Sequence, residues 1–343
     1  MDDVEAMRRA VAAAWRVRTA TSPNPWVGCV LVTPGGEVCT GATAPPGGPH
    51  AEVAALAAAG ARSRGATVYV TLEPCSHTGR TGPCADALVA AGVARVVVGV
   101  LDPDPNVSGR GAERLRAAGI PVDVGVAADE VTAQLAPYLK HRTTGRPWVV
   151  LKLAATLDGR TAAPDGTSRW ITGPEARADA HALRAESDAI VVGAGTVRAD
   201  DPSLTVRHVE GRDPLRVVLG RAPAGARVHP CVELDGDLGA VLDDLGRRGV
   251  VQAMVEGGAT TAAAFHRAGL VDRYVLYLAP ALMGGDGGAG LFTGAGAPTM
   301  ADLWRGRVVD VRRVGNDLRV DLAPVAAEPL TITGPEAVTQ GAS

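Results

Sequence analysis

The chain has 343 residues, of which 46% are hydrophobic and 43 are glycine, and its 34 basic and 37 acidic side chains give a formal charge of −3. These values predict a globular α/β protein of about two domains. They argue against nucleic acid as a partner, because no basic surface is indicated, and no apolar run approaches the ~18 residues of a membrane span. We therefore expect a small-molecule substrate. The absence of a signal-peptide pattern and the odd number of cysteines favour a reducing, cytoplasmic compartment.

The first predicted elements are a helix and a hairpin. The helix ends near Thr19 and the hairpin runs from Trp26 to Thr40. Asn24 lies between two prolines, where it either caps a turn or presents its amide to the edge of a pyrimidine. Apolar residues recur at helical spacing in the first segment: Val4, Met7, Val11 and Trp15.

Residues 49 to 84 carry the strongest chemical pattern, a catalytic zinc site. His50, Cys75 and Cys84 supply one imidazole and two thiols, which leaves the fourth zinc position to a water whose pKa falls to roughly 7. Glu52 is the predicted proton shuttle, because His-x-Glu followed by Pro-Cys-x-x-Cys is the pattern of zinc deaminases. Here eight residues separate the two cysteines. The alternative is a structural zinc site closed by His77, but such a site has no use for Glu52.

The predicted elements around these residues form an α/β/α domain of residues 1 to 145. His50 and Cys84 lie at the starts of two helices, and Cys75 follows a strand over residues 67 to 72. A strand, a loop over residues 102 to 109, a helix, a short strand and a closing helix complete the domain. A linker is predicted at residues 143 to 147.

A second domain is predicted over residues 146 to 324, with a largely parallel sheet that has an antiparallel end. Lys152 interrupts an apolar strand, so it should reach a cleft or a carboxylate. A turn is predicted at residues 194 to 196. The stretch from Gly257 to Thr260 precedes a helix, where it is either an anion site or an ordinary turn. Residues 325 to 343 are predicted to form a disordered tail.

Taken together, the motifs resemble those of the bifunctional riboflavin-biosynthesis deaminase/reductase family. The resemblance covers nearly the whole chain and implies a cytidine-deaminase-like domain followed by a dihydrofolate-reductase-like domain. Seven blocks carry it: PNPWVG from Pro23, HAE from His50, EPCSHTGRTGPC from Glu73, LKLAATLDGR from Leu151, SRWITGPEAR from Ser168, VGAGTVRADDPSLTVR from Val192 and VEGGATTAAAF from Val255.

The resemblance also implies two reactions, Zn²⁺ and NADPH as cofactors, and a possible homo-oligomer. The first domain would remove the 2-amino group of a diamino-phosphoribosylaminopyrimidine, and the second would reduce the ribosyl group of the product to ribityl. The implied cofactor contacts are Ala154, Trp170, Thr196, Asp200, Gly258, Ala259 and Thr260. The implied substrate contacts are Asn24, Lys152, Ser168, Arg184, Leu204, Arg207 and Glu256.

The chain departs from the family pattern at two places. Gly82 replaces a proline before the second ligand cysteine, and the segment LRVVLGRAPAGA lacks an aspartate and a serine that often contact the cofactor. Two alternatives therefore stay open: an active deaminase with a weak or inactive reductase domain, and a different small-molecule nucleobase deaminase.

Overall fold

The computed structural model describes residues 1–76, 82–105 and 107–325 of the chain. His77 and the predicted tail beyond Val325 lie outside these ranges. The chain divides into two compact units, one of Met1–Thr144 and a second that begins at Gly145. Within the described ranges, no helix has the length and apolar character to cross a membrane.

The first unit contains a five-stranded sheet with the strand order β2-β1-β3-β4-β5. Strand β1 is antiparallel to both of its neighbours, and the remaining pairs are parallel. The strands are β1 (Gly28–Val32), β2 (Val38–Ala42), β3 (Thr67–Leu72), β4 (Arg95–Val100) and β5 (Val122–Val124), and the helices are α1 (Asp3–Trp15), α2 (Ala51–Ala59), α3 (Cys84–Ala91), α4 (Arg110–Ala117) and α5 (Ala128–Thr144).

Two glycines allow helices to pack closely against opposite faces of this sheet. A Cβ atom at Gly28 would lie 1.8 Å from the carbonyl oxygen of Ala10 in α1, and one at Gly41 would lie 2.2 Å from that of Ala51 in α2. Gly41 pairs with Cys29, the neighbour of Gly28, so the two glycines face opposite sides of the sheet. The result is the predicted α/β/α arrangement, with the first turn of α2 held close to the strands.

The second unit contains an eight-stranded sheet with the order β10-β9-β8-β11-β6-β12-β15-β14. The pairs from β10 to β12 are parallel and the last two are antiparallel, which confirms the predicted antiparallel end. The strands are β6 (Trp148–Thr156), β7 (Arg160–Ala162), β8 (Ala189–Gly193), β9 (Leu215–Leu219), β10 (Val232–Leu234), β11 (Gln252–Val255), β12 (Arg273–Ala279), β13 (Ala289–Gly290), β14 (Gly306–Val314) and β15 (Asp317–Pro324), and the helices are α6 (Pro174–Ala185), α7 (Ala194–Asp200), α8 (Leu238–Arg247) and α9 (Ala259–Arg267).

Apolar side chains are buried on both faces of this sheet. Leu151 and Val255 pack on one face with residues of α8 and α9, whereas Val150 and Met254 pack on the other with residues of α6. Buried parallel strands of this kind need helices on both sides. The strand-helix alternation seen in the sequence therefore matches the α/β architecture of the unit.

Three local predictions were wrong. The predicted turn at residues 194 to 196 is the first turn of α7, α1 ends at Trp15 rather than near Thr19, and α5 continues to Thr144 within the predicted linker. Helix α8 was not predicted. Its sequence does contain a helix start signal, the N-cap residue Asp237, whose side chain accepts a hydrogen bond from the Ala240 N–H.

Candidate active sites

Three ligand-type side chains meet at the carboxyl end of β3. His50 is the N-cap residue of α2, Cys75 follows β3, and Cys84 is the first residue of α3. The Nδ1 atom of His50 lies 3.3 Å from Sγ of Cys84 and 3.7 Å from Sγ of Cys75. Zn–N and Zn–S bonds of ~2.0 and ~2.3 Å at tetrahedral angles place such atoms about 3.5 Å apart. The three donor atoms, all within 4.8 Å of one another, therefore fit a zinc ion.

Glu52 lies in the first turn of α2, and its side chain is buried in the same site. Burial raises the pKa of Glu52 to about 7. A carboxyl group that titrates near neutral pH can both accept and donate a proton, as a proton shuttle requires. The hydrogen bond between the thiols lowers the pKa of Cys75 to about 4 and raises that of Cys84, so one sulfur readily becomes the thiolate that zinc prefers.

A cavity of about 450 Å³ opens onto these residues. Asn24 lines it together with His50, Glu52 and Cys75. The structure therefore brings the predicted amide, the predicted proton shuttle and two of the three predicted zinc ligands to one cavity. Further lining residues, for which the sequence analysis gave no role, are Glu73, Asp102, Asp104, Tyr138 and Arg142.

Glu73 fixes one wall of this cavity through backbone hydrogen bonds. Its buried carboxylate accepts hydrogen bonds from the N–H groups of Asp102, Gly109, Gly111 and Ala112 at 2.9 to 3.2 Å. These donors belong to the loop after β4 and the first turn of α4, where unpaired N–H groups need acceptors. Glu73 therefore holds that loop beside the segment that carries Cys75.

The second unit has a cavity of about 580 Å³ lined by many of the residues that the resemblance implies. Arg169, Arg177, His181 and His208 also line it, and the two arginines add to the positive charges of Lys152, Arg184 and Arg207 in its wall. Such a wall suits a phosphorylated ligand. The implied residues that line this cavity are Lys152, Ala154, Ser168, Trp170, Arg184, Asp200, Arg207 and Glu256.

Glu256 is held between two cations at the end of β11. Its Oε1 atom lies 3.3 Å from Nζ of Lys152, and its Oε2 atom lies 2.7 Å from Nη2 of Arg184. Burial alone would raise the pKa of Glu256, but the charges of Lys152 and Arg184 outweigh it and lower the pKa to about 2. Lys152 thus reaches a carboxylate, as the sequence predicts.

The remaining implied residues do not line this cavity. Gly258 is the N-cap residue of α9, and its N–H donates a hydrogen bond to Oγ1 of Thr196 at 3.1 Å. Ala259 and Thr260 form the start of the same helix, so this group presents backbone N–H groups beside the end of β8. Leu204 packs its side chain in the core and has a φ of 52°. Any ligand contact at Leu204 would therefore involve its backbone.

Two family models match the chain. Residues 1–100 match the cytidine and deoxycytidylate deaminase zinc-binding region, and residues 147–320 match the RibD C-terminal domain. Together with the two sites, these matches define a zinc-dependent deaminase joined to a reductase. The chain belongs to the RibD family of riboflavin-biosynthesis enzymes. It is accordingly a bifunctional deaminase and reductase that uses zinc and NADPH.

The chain is similar to curated relatives and to solved structures over almost its full length. The riboflavin biosynthesis protein RibD of Escherichia coli K12 is 42% identical over 94% of this chain and 99% of its own length. RibD of Mycobacterium tuberculosis H37Rv is 43% identical, with coverage of 93% and 96%. The structure of Acinetobacter baumannii RibD, form 1, aligns with a TM-score of 0.87 at 39% identity, and covers 94% of this chain and 98% of that one. A Thermotoga maritima deaminase/reductase aligns with a TM-score of 0.86 at 34% identity, with the same coverage. The cytidine-deaminase-like fold of the first domain and the reductase fold of the second are thereby confirmed, and the two-activity interpretation is favoured over both alternatives.

Proposed function

We propose that the first domain hydrolyses the 2-amino group of 2,5-diamino-6-(5-phosphoribosylamino)pyrimidin-4(3H)-one, and that the second uses NADPH to reduce the ribosyl group of the product to ribityl. The Thermotoga maritima structure carries the matching name, a diaminohydroxyphosphoribosylaminopyrimidine deaminase/5-amino-6-(5-phosphoribosylamino)uracil reductase. The observation that carries the proposal is the cluster of His50, Cys75 and Cys84 beside a cavity that the buried carboxyl group of Glu52 also lines.

In the deaminase site, His50, Cys75 and Cys84 would hold the zinc ion. A zinc ion in such a site lowers the pKa of a water molecule to roughly 7. Glu52 would carry the two protons of the attacking water in turn, the first to the pyrimidine ring nitrogen and the second to the amino group. The amino group would leave as ammonia, and the oxygen of the water would stay on the ring carbon. Asn24 contacts the polar edge of the pyrimidine. Because Glu52 is buried, these proton transfers take place away from bulk solvent.

In the reductase site, the cationic cavity would hold the substrate. Arg184, Arg207 and Ser168 contact it, together with the backbone of Leu204, and Glu256 orients Lys152. The pKa of Glu256 is about 2, so Glu256 is ionised near neutral pH and Lys152 is the better source of the proton that accompanies hydride transfer to C1′. NADPH would contact Ala154, Trp170, Thr196, Asp200, Gly258, Ala259 and Thr260.

Incubation of the zinc-loaded chain with the diaminopyrimidine tests both steps. Without NADPH we expect one ammonia per substrate, and with NADPH we expect oxidation of the cofactor to follow ammonia release. Ammonia release without NADPH oxidation would contradict the reductase half of the proposal. No ammonia release from the zinc-loaded chain would contradict the deaminase half. Cytosine and guanine serve as control substrates, and neither should be deaminated.

We also propose that the chain forms a homo-oligomer through one face of the second unit's sheet. Four cross-strand pairs of apolar residues lie in register on β12, β15 and β14, and Val308 and Val311 are 61% and 55% exposed. The opposite face of β15 carries the buried charges of Asp317, Arg319 and Asp321. An apolar face without charges at its centre can pack against its own copy about a two-fold axis. The apolar residues are Leu276, Leu278, Leu318, Val320, Leu322, Val308 and Val311.

Val311→Glu should convert the oligomer to a monomer in analytical ultracentrifugation, because it places a charge in the middle of the buried face. Val38→Glu is the matched control, since Val38 is a 41% exposed strand valine in the first unit. A wild-type chain that sediments as a monomer at every concentration would refute the proposal.

Location in the cytoplasm and the lack of a nucleic-acid partner stay predictions from the cysteine count and the net charge.

A further inference from the structure

His181 of α6 is buried against the second cavity, and its ring has a fixed hydrogen-bond partner. Its Nδ1 atom lies 2.9 Å from the backbone nitrogen of Arg207. A backbone N–H can only donate, so Nδ1 accepts and carries no proton. In the neutral ring the proton must therefore be on Nε2.

The surroundings keep this ring neutral. Burial and the positive charges of Arg184 and Arg207 lower the pKa of His181 to about 4, and His208 acts in the same direction. Glu256 acts in the opposite direction, but its effect is smaller. At neutral pH, His181 is thus a neutral donor with a known orientation of its proton.

Nε2 of His181 makes no hydrogen bond to any residue in the described part of the chain. The ring lines a cavity whose other walls include Arg184, Arg207 and His208. Nε2 is not among the buried polar atoms that lack a partner, so this N–H is open to the cavity and free to donate to an acceptor on a bound ligand. We infer that His181 is a substrate-binding residue of the reductase site and donates its Nε2–H to an oxygen of the phosphoribosyl group. This inference rests on the proposed function.

The same ring also orders the segment that carries Arg207. Nη1 of Arg184 donates to the carbonyl oxygen of Thr205 at 2.7 Å, and Nη1 of Arg207 donates to Oγ of Ser203 at 2.6 Å and to Oγ1 of Thr205 at 2.8 Å. His181 adds the hydrogen bond at the backbone of Arg207. One imidazole therefore has two separable functions: an acceptor that positions Arg207 and a donor that contacts the substrate.

Two variants separate these functions. In His181→Asn, Oδ1 can take the place of Nδ1 and accept from Arg207, but the Nε2–H is lost. In His181→Leu, both hydrogen bonds are lost. We expect the KM for the deaminated substrate to rise about tenfold in the Asn variant, the equivalent of one hydrogen bond, and about 100-fold in the Leu variant. The KM for NADPH and the rate of ammonia release should stay at wild-type values.

A substrate without its 5′-phosphate identifies the acceptor oxygen. If the phosphate accepts from Nε2, the wild-type chain and the Asn variant will have equal KM values for this analogue. If a ribose hydroxyl accepts, the tenfold difference will persist. Wild-type KM values in both variants would overturn the inference, and so would a loss confined to kcat. In either case a wild-type chain that oxidises NADPH leaves the proposed function intact, whereas an inactive wild-type chain refutes the proposed function itself.

Discussion

Glu52→Gln should abolish ammonia release while the chain keeps its zinc. The amide cannot take up a proton at neutral pH, and loss of a general acid/base group costs about 10²- to 10⁴-fold in rate. His50, Cys75 and Cys84 remain, so metal binding does not need the carboxylate. The measurements are the initial rate of ammonia release and the zinc content per chain by elemental analysis.

The control is Glu113→Gln, which changes an exposed glutamate in the first turn of α4. It should have wild-type rates. Reduction of the deaminated product by Glu52→Gln should also be normal, because its site lies in the second cavity. Retention of the deaminase rate would remove Glu52 from the mechanism. Loss of zinc together with the rate would instead assign Glu52 a role in building the metal site.

The sequence predicted that the three ligand-type side chains would meet, because each belongs to a short motif at the end of a regular element. His50, Cys75 and Cys84 are set by the start of α2, the end of β3 and the start of α3. The periodicity of apolar residues predicts where these strands and helices begin and end, so local sequence patterns are sufficient to predict that the three side chains lie near one another. The same reasoning predicted that Lys152, a charge in an apolar strand, would meet a carboxylate.

Glu73 and His181 had no such local pattern. Glu73 acts on backbone N–H groups 29 to 39 residues away, and His181 acts on one 26 residues away. Their hydrogen-bond partners are backbone N–H groups, which every residue except proline has. The sequence therefore does not distinguish these two side chains from any other polar side chain. Only the fold shows which N–H groups lack other acceptors. Leu204 shows the converse, because the sequence gave no sign that the side chain of this implied substrate contact would pack in the core.

Glu256→Gln should both destabilise the second unit and abolish NADPH oxidation. The side chains of Glu256, Lys152 and Arg184 are only 9 to 19% exposed, and the amide would leave two buried cations without a counter-ion. Removal of one partner from a buried ion pair costs about 3–5 kcal/mol in the free energy of unfolding. Lys152 would also lose the carboxylate that orients it, so we expect reduction of the deaminated substrate to slow by at least about 10²-fold. Urea unfolding and NADPH absorbance measure the two effects.

Glu233→Gln is the matched control, because its partner Arg221 is 78% exposed and solvent screens such a pair, so the variant should keep wild-type stability and reduction rates. Dependence on pH gives a second, independent test. The folded chain lowers the pKa of Glu256 from 4.5 to about 2. Its ionisation therefore stabilises the fold fully above about pH 4.5, and this contribution, about 3 kcal/mol, is lost as the pH falls towards 2. The Gln variant should lack that part of the acid-induced loss of stability. If the two chains lose stability in parallel between pH 4.5 and 2, the two cations do not hold Glu256 in its ionised form, and the ion triad is not the basis of the reductase site.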